Sequence, residues 1–122
     1  MMKLTVVLAA AGVLLAGPAL AQGTCTRPTM PTAIDGSTAT LQQVIEAKNA
    51  TTAFMTASDD YQSCVLKDLA AQKAAAKASK TKISQEAIDA SQKAVDANQA
   101  DKEQAGKAYN DAAHAYKAAH PS

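Results

Sequence analysis

From Ala39 to Ser79 apolar residues return every three or four positions, and neither Pro nor Gly interrupts them. One line runs Val44, Ala47, Thr51, Phe54, Ser58, Tyr61, Val65. A second runs Leu41, Ile45, Lys48, Thr52, Met55 and resumes at Leu66 and Leu69. This spacing, in a stretch rich in Ala, Lys and Gln, predicts a helix over about 38–79. Two neighbouring lines make an apolar face wider than a single partner helix covers. Ser37 or Thr38 is the expected N-cap. Lys73, Lys77, Lys80 and Lys82 lie where positive charge suits a helix C-terminus.

A second period begins after a turn expected at about 80–84. Ser84 is positioned to cap a helix, Glu86 falls in its first turn, and Ile83 and Ile88 have the spacing of a hydrophobic staple. The helix is predicted over about 84–119, ended by His120-Pro121. Its inward line is Ile88, Ser91, Val95, Asn98, Lys102, Ala105, Tyr109, Ala112, Tyr116, which keeps seven-residue spacing through a polar middle. Asp89 with Lys93, and Glu103 with Lys107, are four apart with the acid first, the favourable order on an exposed face. One unbroken helix would leave both lines in water, so the pattern predicts a long antiparallel hairpin, coiled-coil-like and all-α. A turn centred near 81 or 82 would set Phe54 opposite Tyr109, Val65 opposite Asn98 and Glu46 opposite Lys117.

Ahead of the helices the pattern changes twice. Lys3 precedes an apolar run from Leu4 to Leu15, then Pro18 and the small-residue site Ala19-Leu20-Ala21. That is the form of a secretory signal peptide over 1–21, cleaved before Gln22. A retained anchor would need roughly 20 unbroken apolar residues, and Gly17-Pro18 interrupts this run. A lipidated Cys25 would need apolar and small residues before it, where Gln22-Gly23-Thr24 stand. Residues 22–37 hold Pro28, Pro31 and Asp35-Gly36, and predict an extended strap closed by a turn.

Export changes how composition is read. Without Lys3 the chain has eleven basic residues against eleven acidic ones, so no net field draws it to nucleic acid or an anionic membrane. Beyond the leader the aromatics are Phe54, Tyr61, Tyr109 and Tyr116, with no Trp. They suit a long, thin structure packed by Ala and Leu rather than a compact core. Cys25 and Cys64 would pair in an oxidising compartment, within one chain or between two. An internal bond sets a geometric test. From a start at Thr38, Cys64 lies about 39 Å along the helix, and 13 extended residues span about 40 Å. Residues 25–37 would therefore run straight back along the first helix. Met30 and Ile34 would pack into a groove of Ala50, Ala53 and Ala57.

Candidate chemistry is sparse. Asp111 and His114 share a helical face with His120 beyond, short of the three or four converging ligands a metal needs. Asp59-Asp60 lacks the spaced oxygens and glycine of a calcium loop. The lysines from Lys73 to Lys82 have no interleaved aromatics to stack on bases. No nucleophile–base pair or carboxylate cleft suggests an enzyme, and no cofactor motif is present.

At Cys25-Thr-Arg-Pro28-Thr-Met-Pro31, Asp35-Gly36 and Tyr61-Gln-Ser-Cys64 the chain resembles a group of short secreted alphaproteobacterial proteins without an established activity. The resemblance implies export and a paired cysteine, and carries no site. The resulting expectation is a periplasmic or secreted structural or protein-interaction module, free of a stable membrane anchor. It would associate with its own copies, or with a helical partner, through Leu41, Ile45, Met55, Leu66 and Leu69. The alternative is a holdase-type chaperone or carrier that binds apolar clients on the same face.

Overall fold

The computed structural model of the protein describes residues 25–121; the leader expected over 1–21, its cleavage site and the first strap residues lie outside this range. Two helices pack as a hairpin, α1 (Leu41–Ala78) and α2 (Gln85–Ala119), and residues 25–40 precede them without regular structure. The described residues include no strand. No helix among them is long and apolar enough to cross a membrane.

The start of α1 falls later than expected. Thr40, not Ser37 or Thr38, is the N-cap. Its hydroxyl accepts from Gln43 N at 3.1 Å, and the Gln43 side chain accepts from Thr40 N at 2.9 Å, a reciprocal capping box. Ser37 and Thr38 are drawn instead into the turn at Asp35. Ser37 N donates to the Asp35 carboxylate at 2.9 Å, and Thr38 N to the Asp35 carbonyl at 3.2 Å. Ser84 caps α2 as its position implies, accepting from Ala87 N at 3.2 Å.

Between the helices the chain turns through Lys80, whose φ is 55°. Lys80 N donates to Lys77 O and Thr81 N to Ala76 O, the paired bonds that close a helix through a left-handed residue. The linker then folds back, so α2 starts level with the last turn of α1. That slides the helices by two to three residues from the register expected of a turn centred at 81 or 82. Gln62, rather than Val65, donates to Asn98; Asp59 meets Lys102; the Met55 methyl lies over Gly106.

Packing is asymmetric in side-chain size. α1 buries Val44, Phe54, Ser58, Tyr61 and Val65, all on its first predicted line. α2 buries Ser91, Ala94, Asn98, Ala105 and Ala112, four of them seven apart. Large groups from α1 therefore settle onto a row of small ones on α2, which lets the backbones approach. The larger members of the α2 line, Ile88, Val95, Tyr109 and Tyr116, are only half-buried beside that row. One polar layer crosses the core. Asn98 and Ser58 are fully buried, and Asn98 Nδ2 donates to Ser58 Oγ at 3.2 Å while Asn98 Oδ1 accepts from Gln62 at 2.9 Å.

Candidate interaction surface

The strap defines one flank of the hairpin. Cys25 is bonded to Cys64, their Cα atoms 5.7 Å apart, so the extended segment is anchored two-thirds of the way along α1. Closing a loop of this length stabilises a fold by about 3–4 kcal/mol in the chain-entropy account. Two residues on, Arg27 reaches the other helix. Its Nε and Nη2 donate to Asp101 Oδ2 at 2.9 and 2.6 Å, and Nη2 lies 3.4 Å from the Ala97 carbonyl. The strap thus bridges α1 and α2 within three residues of its anchor.

It then runs antiparallel to α1, as expected, but over the seam between the helices rather than along α1 alone. Met30 and Ile34 line a small cavity of about 70 Å³ with Ala47 and Thr51 of α1 and with Ala105 and Ala112 of α2. Ala50, Ala53 and Ala57, the groove expected from α1 alone, are exposed. The seam is the better seat because an extended chain there contacts two helices at once and gives Arg27 a partner on the second. At the far end Gly36 is buried against the α2 backbone. A Cβ placed there would fall 1.8 Å from the Ala112 carbonyl oxygen, so only glycine permits this approach.

Candidate chemistry groups are engaged elsewhere. Asp111 accepts from Lys107 at 2.7 Å, and this contact raises the Lys107 pKa above its ordinary value. The His120 ring stacks on Tyr116 at 4.2 Å, with its Nδ1 3.0 Å from the Tyr116 carbonyl. His114 is exposed. Asp59 pairs with Lys102, leaving Asp60 beside a shallow surface depression with Ser63 and Lys67. Among the described residues, Cys25, Cys64 and Asp68 are close enough to share a cation, their donor atoms lying within 4.8 Å. The two sulfurs are joined to each other, however, and an Asp68 oxygen rests 3.3 Å from the Cys25 sulfur as a simple contact.

Among the described residues, nothing covers the opposite flank. Leu41, Ile45 and Leu66 are 57 %, 43 % and 51 % exposed, while Met55 and Leu69 are half-buried. All five lie on the second apolar line of α1, turned away from Ala47, Cys64 and Asp68, which meet the strap. Ile88, Val95 and Tyr116 of α2, also half-buried, flank the small row of that helix. Polar bridges cross the middle of the hairpin here, Asp59 to Lys102 and Gln62 to Gln99. Sequence reasoning singled out the apolar line but not Arg27, Asp101 or the buried role of Gly36.

No family model, curated protein or solved structure matches the chain.

Proposed function

We propose that this is an exported, periplasmic or secreted, interaction module that works by binding rather than by catalysis. Its open flank takes a second helical surface, and another copy of the chain is the first partner. The observation that carries the reading is the unequal treatment of the two flanks. A strap, a disulfide and an Arg–Asp pair close one side, while three large aliphatic side chains remain exposed on the other. Each is about half exposed, so covering it completely would add roughly half of the 1.5–3 kcal/mol that full burial of such a side chain gives, and a monomer gains by it. The rigid, strapped flank gives the open one a fixed shape to present. The chain's paired cysteines and amphipathic helices suit this use outside the cytoplasm.

Sedimentation of the chain beginning at Gln22 tests the proposal. At tens of micromolar the protein should associate, and Leu41→Lys with Leu66→Lys should return it to a monomer without loss of helicity. A strict monomer that captures no helical partner through this face would overturn it. Suppression of client aggregation at low molar ratio, abolished by the same substitutions, would favour the chaperone alternative instead.

A further inference from the structure

The open flank has a symmetry of its own, and it specifies how two copies meet. Leu41 and Leu69 stand fourteen residues on either side of Met55, and Ile45 and Leu66 stand ten and eleven. The polar positions between them mirror in the same way, with Lys48 and Gln62 seven on either side and Thr52 and Asp59 three and four. A stripe that reads alike in both directions fits its own copy laid antiparallel over it, which is the requirement of a two-fold isologous contact. Resting on the proposal that this flank self-associates, we infer that two hairpins stack face to face with α1 antiparallel to α1. The two-fold axis crosses the helices at Met55 and Gly106.

The second helix fits the same axis. Met55 lies over Gly106, its methyl 3.5 Å from where a Cβ would stand, so the axis passes one flexible side chain and one residue without a side chain. Such a point tolerates a residue meeting itself, where a charge would be opposed by its own copy. Val95 and Tyr116 stand eleven and ten residues either side of Gly106, and would meet across the axis. The charges nearest the axis are already neutralised within each hairpin by the Asp59–Lys102 pair.

The size also suffices. The stripe from Leu41 to Leu69 is about 42 Å long at 1.5 Å per residue, and a face two helices wide measures about 20 Å. Covering it on both copies would bury about 1,600 Å², the usual area of a specific, stable association. The product is a four-helix bundle with the two straps on its outer faces. A rotation about the bundle's long axis would instead lay α1 on the partner's α2. That arrangement still sets Leu66 over Val95 and Ile45 over Tyr116 but puts Leu69 over Gln92 and Leu41 over His120, whereas the antiparallel one matches every large apolar residue of the α1 stripe with another.

Cross-linking separates these outcomes from failure of the underlying proposal. Gln42, Thr56 and Ala70 are exposed, stand fourteen apart, and edge the stripe on the side away from α2. Each is replaced singly by cysteine with the Cys25–Cys64 bond left intact, and the dimer is treated with a short bifunctional thiol reagent. Thr56→Cys should link to itself. Gln42→Cys and Ala70→Cys should link to each other in a mixture, at least tenfold more than either does alone. Sedimentation of the same samples reports association independently. A dimer in which Thr56→Cys fails to link, or Gln42→Cys links to itself, overturns the antiparallel register and leaves self-association standing. A protein that remains monomeric overturns both.

Discussion

Gly36 sits against the carbonyl of Ala112 so closely that a methyl group at its Cα would fall 1.8 Å from that oxygen. The contact joins the end of the strap to the far half of α2, so one missing side chain fixes the path of the whole segment. Gly36→Ala should therefore lift the strap from the seam at this end while Cys25 still holds the other. Forcing atoms into a packed site costs about 1–3 kcal/mol. A urea titration should show a lower midpoint, and exchange of the amide protons at residues 35–38 should speed up. An unchanged midpoint would mean that the strap bears no weight beyond the disulfide.

Lys80 holds the left-handed position that closes α1, at φ 55°. A residue with a Cβ is disfavoured there by about 1–2 kcal/mol, a cost glycine avoids, though glycine loses more freedom on folding. Lys80→Gly should thus stabilise the hairpin by roughly 1 kcal/mol. The expected readout is a higher thermal midpoint with unchanged helicity. A lower midpoint would show that the Lys80 side chain makes a compensating contact.

What the sequence made legible divides along physical lines. The two helices and the α1 core were readable because Val44, Phe54, Tyr61 and Val65 repeat at helical spacing, a local property. The disulfide was readable because two cysteines expected in an oxidising compartment leave few options, and the chain lengths match. The first cap was misplaced because Ser37, Thr38 and Thr40 all carry a suitable oxygen, and only Thr40 has Gln43 three residues on to answer it. The register slipped because the left-handed turn at Lys80, a residue with no special signal, sets where α2 begins. Arg27 and Asp101 are 74 positions apart, and nothing in the order of residues joins them. The seat of the strap was missed for the same reason, since the seam between α1 and α2 exists only once both helices are in place.

The Asp35 carboxylate accepts from both the hydroxyl and the backbone N–H of Ser37, at 2.6 and 2.9 Å. These two bonds hold its pKa below the ordinary 3.8. A carboxyl group whose pKa is lower in the folded chain stabilises the fold above its unfolded value, and that contribution is lost as pH falls through the folded one. The turn at 35–38 should hold at neutral pH and loosen only below pH 3.8. Side-chain NMR titration should place the Asp35 midpoint below that value, and Ser37→Ala should raise it. A midpoint at or above 3.8 in the unaltered protein would contradict the turn geometry.

A buried polar layer holds the hairpin to one register. Four buried residues of α2, Ser91, Asn98, Ala105 and Ala112, are seven apart and small, so a slide by one repeat would present nearly the same surface to α1. Asn98 breaks the degeneracy. Fully buried, it has its amide answered by Ser58 and its carbonyl by Gln62, and a slide would leave all three groups without partners. An unpaired buried polar group costs about 1–3 kcal/mol, enough to make the native register the lone favourable one. Asn98→Ala should destabilise by that amount, because the Ser58 hydroxyl loses its donor. Replacing both buried partners, Asn98→Leu with Ser58→Ala, should recover most of the loss, because the remaining group, Gln62, is only half-buried and keeps its bond to Gln99. The same double substitution should weaken the choice of register, as removal of a buried asparagine does in coiled coils. Zero-length carbodiimide coupling reads the register directly, since Asp59 and Lys102 are in contact. The native chain should give that bridge between α1 and α2, and the double variant should give less of it, because a slide of seven residues sets Val95 or Tyr109 opposite Asp59. If the double variant keeps the Asp59–Lys102 product in full, the strap and disulfide alone set the register, and Asn98 serves only to satisfy its own neighbours.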